Sequence, residues 1–169
     1  MPVTRHFINV DSADRNTAAY PSPSSYQVNL PSRYRNIWEA RLVNIGLPEF
    51  TTPRRNAFLK IDYLNQVDGT SNSSGVNFCF AKLPLSTAQS NVFYVDSMTQ
   101  SLPPVILQNP IATMDKLNIS ITNSNGELIS IPNTGNDHSM VIELVCGDYI
   151  NNGGGSTLTT HGRILGGSR

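Results

Sequence analysis

Charge is scarce in this chain. Only 14% of its 169 residues are Asp, Glu, Lys or Arg, and twelve basic residues balance twelve acidic ones. Zero net charge leaves no global electrostatic footprint for nucleic acid or an anionic membrane, so no direct nucleic-acid partner is expected. Cysteine is nearly absent. Cys79 and Cys146 are too few for a disulfide framework and lack metal-ligand spacing; each lies in an apolar alternating run and reads as a buried thiol. No stretch approaches the ~20 apolar residues of a membrane-crossing helix, so no membrane span is expected. The opening MPVTRHFINVDS has no hydrophobic signal core, and synthesis and folding in a reducing cytoplasm are expected from it.

Catalytic constellations are missing too. His6, His138 and His161 have no neighbours at metal-ligand spacing, and His138, in a turn, reads as a surface or capping residue. There is no G-x-S-x-G elbow, and Gly153-Gly154-Gly155 lacks the Lys-Ser/Thr continuation of a phosphate loop. Sequence order leaves a Ser-His-Asp triad open, because a triad is defined by geometry. Asp11 and Asp14 read as turn formers, since a calcium loop needs more oxygens at regular spacing. The expectation is a non-enzyme with no metal and no cofactor.

What the chain has is alternation. Ile8 and Val10 share a face until DSADRN stops the strand, and YPSPSS follows as an extended segment. In SSYQVNLP, Tyr26, Val28 and Leu30 oppose Ser25, Gln27 and Asn29, with Pro31 ending the strand and residues 32–36 forming a basic link. IWEARLVNIGLPEF then changes phase. Trp38, Ala40 and Leu42 are apolar on even positions, Val43, Ile45 and Leu47 on odd ones, as a β-bulge near Leu42-Val43 or a strand buried on both faces further along would produce; either suits a strand that bends across a sandwich. By parity, Trp38 is placed in the core.

Further strands are expected with Leu59, Ile61 and Tyr63 inward, and with Val76, Phe78 and Phe80 inward. Residues 84–112 suggest two short strands, VFYV and VIL, with a long connection. LNISIT, an Asn125-Gly126 turn and the returning Leu128, Ile129 and Ile131 read as a hairpin, and MVIELVC as a last strand with Met140, Ile142 and Leu144 on one side. About eight to ten strands without helix signals define an all-β fold, a single jelly-roll β-sandwich of about eight antiparallel strands. The domain is expected over 1–146, with a Gly-rich flexible tail over 147–169.

Two basic patches stand out, Arg33-Tyr34-Arg35 and Arg54-Arg55. They read as solvated loop arginines, as contacts to nucleic acid through phosphates and stacking, or, since Arg and Tyr are enriched at protein interfaces, as subunit contacts; on the last reading Arg33, Tyr34, Arg35, Arg54 and Arg55 are the candidates.

The opening pattern Ile8 to Asn16 (I-x-V-DS-x-DRN), YPSPSSYQVNLP and a strand ending in LPEF resemble the start of the single jelly-roll capsid proteins of nucleocytoplasmic large DNA viruses. The stretch LQNPIATMDKLNISITNSNGELISIPN with the later DHSMVIEL resembles their carboxyl half; 51–104 is unmatched. The resemblance implies a virion protein at the five-fold vertex, self-assembling as a homopentamer and contacting major and minor capsid proteins. It transfers no site residues. Two other readings remain beside it. One is a minor capsid or cement protein bridging capsomers. The other is a carbohydrate-binding jelly roll, for which Tyr94-Val95-Asp96 or Asp148-Tyr149-Ile150-Asn151 supply aromatics beside carboxylates and amides.

Overall fold

The computed structural model describes residues 3–48, 55–68, 78–85, 92–96, 102–131 and 137–147. Among these residues nine strands follow in order: β1 Thr4–Asp11, β2 Ser25–Pro48, β3 Asn56–Ile61, β4 Val67–Asp68, β5 Phe78–Cys79, β6 Ala81–Pro84, β7 Val92–Asp96, β8 Val105–Thr122 and β9 Ser139–Cys146. The one helical element among the described residues is a 3-10 turn, Ser12–Asp14, and no described helix is long and apolar enough to cross a membrane.

Among the described residues all the pairings are antiparallel; β4 and β5 form a small two-stranded sheet of their own, and the rest resolve into two four-stranded layers. One runs β1–β9–β2–β7, the other β2–β8–β3–β6. The long strand β2 belongs to both, pairing with β8 from Ser25 to Ala40 and with β9 from Ile37 to Gly46, so that Ile37, Glu39 and Ala40 have a partner on each side. This is the jelly-roll arrangement the sequence led us to expect, in which two Greek keys close over one core. That core joins Ile8, Tyr26, Leu42, Ile45, Leu59, Ile119, Met140 and Ile142 from both layers.

The phase switch is a bulge. Between Leu42↔Ile142 and Asn44↔Val141 the strand gains Val43, and the buried positions pass from Ala40 and Leu42 to Ile45 and Leu47. The crossing between layers lies earlier, though. It falls between Ile37 and Ala40, where β2 holds both β8 and β9, next to Asn36 (φ 50°) and at the register shift Ile37/Glu39. That second shift also corrects Trp38. Ile37 takes the core position, while Trp38 is half-buried and donates from Nε1 to the Gly147 carbonyl at 2.6 Å.

Three other expectations are revised. Pro31 does not end a strand: residues 32–36 lie within β2, in a bulge where β2 advances from Asn29 to Tyr34 while β8 moves only from Lys116 to Met114. Proline is tolerated there because this half of β2 pairs on one side only. VIL and LNISIT are one strand, β8. Tyr63 and Phe78 point outward, 79% and 57% exposed, and their inward places go to Leu64 and Cys79, while Phe80 is buried as expected. Val76 lies outside the described residues.

Cys79 and Cys146 are free and buried, as expected, and burial pushes both thiols up. The hairpin turn is present, but its return is a single bridge, Thr122↔Leu128, beyond which Ile129 and Ile131 are buried and Leu128 is not. Gly126 sits at φ 82° in that turn. A Cβ is disfavoured there, so Gly126→Ala is expected to cost about 1 kcal/mol, read as a lower midpoint in thermal unfolding. An unchanged midpoint would mean the turn relaxes freely.

Candidate functional site

The turn after β1 and the segment leading into β9 meet in a partly buried polar clamp. Asp11 ends β1 and accepts from the Ala13 amide through Oδ1 (2.8 Å), capping the short turn. The turn delivers Ser12 to the segment leading into β9. There the Ser12 amide donates to the His138 carbonyl, its Oγ donates to Asp137 Oδ1, and the His138 amide donates back to Oγ, each at 2.9 Å. Arg15, 7% exposed, closes the group. Its Nη1 reaches Asp137 Oδ1 (2.5 Å) and the Ser12 carbonyl (2.6 Å), and its Nε and Nη2 reach the carbonyls of Tyr20 (3.1 Å) and Pro21 (3.4 Å). Burial alone would raise the Asp137 carboxyl, but hydrogen bonds from Ser12 and Arg15, with the nearby positive charge, hold it below its ordinary value.

His138 is no surface residue. It is buried, with Nε2 sharing a 3.0 Å hydrogen bond with the Tyr26 hydroxyl, and Nδ1 has no partner among the described residues. Burial pushes the imidazole down to about 4 and the Tyr26 hydroxyl up. Sequence reasoning missed this role because its determinant, Tyr26, lies far away in the chain.

Ser12, Asp137 and His138 also answer the triad question for this cluster. The serine hydroxyl is bonded to the carboxylate and to a main-chain amide, while the imidazole faces a tyrosine. A nucleophile needs its hydroxyl on the base, and here that geometry is absent. Among the described residues no group of three or more His, Cys, Asp or Glu is placed to hold a metal ion.

The outer face of the β1–β9–β2 layer carries a charge ladder and apolar side chains. Glu143, buried, pairs with Arg5 (2.5 Å) and Arg41 (3.5 Å), and Glu39 lies 4.0 Å from Arg41. The hydrogen bond from Arg5 to Glu143, with their charge attraction, raises the guanidinium above its usual value. Beside this ladder Val3, Phe7 and Ile106 are exposed, and Val3, Trp38, Ile106 and Val145 line a groove of about 380 Å³. No sequence signal pointed to this face, because Phe7 and Ile106 sit on polar-side positions of strands whose other face is core.

The sequence-predicted contacts divide. Arg33 and Arg35 project from the β2 bulge and Arg55 precedes β3, all exposed; Arg33 lies 3.4 Å from the exposed Asp115. Tyr34 is turned inward, edge-on to His6 at 5.0 Å, which removes its ring from the surface. Arg54 lies outside the described residues, as do Asp148–Asn151 and the side chains of Tyr94 and Asp96.

A single jelly roll whose polar chemistry is used to lock its own ends, with an apolar and arginine-bearing exterior, has the features of a structural, assembling protein. No protein-family model matches the chain. It is, however, 54% identical over 167 residues to the penton capsid protein P1 of Paramecium bursaria Chlorella virus 1, covering 98% of both chains. The chain therefore belongs to the penton capsid proteins of large DNA viruses, a structural class whose place is the virion.

Proposed function

We propose that this protein forms the five-fold vertex of an icosahedral shell as a homopentamer. In that role it touches major and minor capsid proteins, carries no catalytic step, and is synthesised and assembled in the host cytoplasm. The near-full-length identity to a penton capsid protein carries the reading. Geometry supports it in two ways: Arg15 and His138 of the clamp are turned inward, and the outer face offers Val3, Phe7 and Ile106 beside the ladder. Apolar side chains exposed together favour burial against a second copy. Arg33, Arg35 and Arg55 are proposed as charge-paired contacts at the rim, where such pairs set register more than affinity.

Sedimentation equilibrium of the purified chain is expected to give a closed oligomer. The triple variant Arg33→Glu, Arg35→Glu, Arg55→Glu is expected to dissociate at lower salt than the parent. A chain that stays monomeric, and is missing from mass spectra of purified particles, would sink the proposal. Particle density between capsomers and away from the five-fold axis would move it to the minor-capsid role.

A further inference from the structure

Two irregularities in the backbone converge on one groove that assembly of the fold does not require. The first is the turn after β3. The Leu64 amide donates to the Ile61 carbonyl (3.0 Å), the Ile61 amide donates to Asn65 Oδ1 (2.9 Å), and Leu64 is fully buried as the anchor. Held between them, Tyr63 has φ 68° and is 79% exposed. A bulky residue in the left-handed region is an outlier, and a turn of this kind ordinarily takes glycine.

The second is the bulge in β8. Between the pairs Ile37↔Ile111 and Glu39↔Ile106, β8 spends residues 107–110 without a register partner on β2. Pro110 removes one ladder donor, and the bulge aims Gln108 and Asn109 outward.

The groove between these two features has a volume of about 410 Å³ and is lined by Tyr63, Gln66, Leu107, Gln108, Asn109 and Ile111. None of these side chains is charged. The fold does use amides elsewhere: Gln27 bonds Asn118, Asn118 bonds Asp62, and Asn123 bonds Glu127. The side-chain amides of Gln66, Gln108 and Asn109 make no hydrogen bond to another described residue.

We propose that this groove binds a neutral carbohydrate. Planar amides offer paired donors and acceptors to vicinal hydroxyls, and an exposed tyrosine offers an apolar face to the C–H side of a sugar ring. An uncharged lining favours a neutral saccharide over a uronate or sialylated one, since a fixed charge on the ligand finds no counter-charge there. The site differs from both aromatic pairs that the sequence suggested, and it stands independently of the vertex assignment, because it faces off β8 and the β3 turn.

The test uses the full chain, in the oligomeric state in which it purifies, labelled and applied to an array of neutral and acidic oligosaccharides. Binding is expected to be confined to neutral members. Tyr63→Gly is expected to keep or raise the melting temperature, since glycine fits φ 68° without strain, while lowering binding by roughly tenfold or more, the weight of one good contact. Gln108→Ala with Asn109→Ala is expected to lower it similarly. No neutral binder, binding confined to acidic members, or a Tyr63→Gly protein that binds like the parent would each overturn the proposal.

Discussion

Replacing Arg15 by alanine is expected to destabilise the protein by about 3 kcal/mol, among the largest single-residue losses available outside the hydrophobic core. The guanidinium is buried and satisfies the carbonyls of Ser12, Tyr20 and Pro21 as well as Asp137. Alanine would strand these acceptors, and a buried polar group left unpaired costs roughly 1–3 kcal/mol. Asp137 keeps partial contact with water, its side chain being 37% exposed, which holds the expectation at the lower end of the range for a broken buried pair. For a chain of this size the loss corresponds to about 10 °C in melting temperature. Arg15→Lys should recover little, because one ammonium cannot serve a fork of acceptors in three directions. Differential scanning fluorimetry of the two variants decides it, and a shift under about 2 °C for Arg15→Ala would show that the clamp is not a major source of stability.

The clamp also explains what in the sequence was legible. The two motifs that carried the family resemblance, DSADRN near the start and DHS before the last strand, are in contact: Ser12 and Arg15 bind Asp137 and the His138 backbone. A pattern that looked like turn chemistry at two separate places is one tertiary joint. The alternating strands were equally readable wherever one face is core, as at Ile8 and Val10 or Met140 and Ile142.

Alternation failed where a strand stops without glycine or proline. Tyr63 continues the period of Leu59 and Ile61, yet the chain has already turned, and only the Asn65 side chain signals it. It failed again at bulges. Trp38 keeps parity with Ala40, but the register slips by one residue between Ile37 and Glu39, and Ile37 takes the core place. The apolar outer face and the amide groove were out of reach for a related reason. Each is assembled from strand and turn positions far apart in sequence, brought together where β2 passes from layer to layer and β8 bulges against it.

Acid is expected to weaken the protein well above the range where carboxylates titrate, and His138 is the cause. The unfolded chain binds a proton on this imidazole near 6.5, whereas in the folded protein burial holds its value down to about 4. Between those two values the unfolded state carries more protons, so stability falls as pH falls. The full difference is worth about 3 kcal/mol, and it is complete near pH 4. Protonation would place a charge among Tyr26, Asp11, Asp137 and Arg15. The two carboxylates favour it and Arg15 opposes it, and desolvation outweighs all three. Asp137 adds a separate loss at lower pH. Its folded value is depressed, so its stabilisation is present above the unfolded carboxylate range and disappears as pH drops through the folded value. Urea unfolding from pH 7 to 4 measures the first window. His138→Gln, which keeps a hydrogen-bonding amide near Tyr26 but cannot titrate, should flatten the curve there. If that variant loses stability as steeply as the parent between pH 6.5 and 4, the acid response belongs to other groups and the joint at His138 is a passive one.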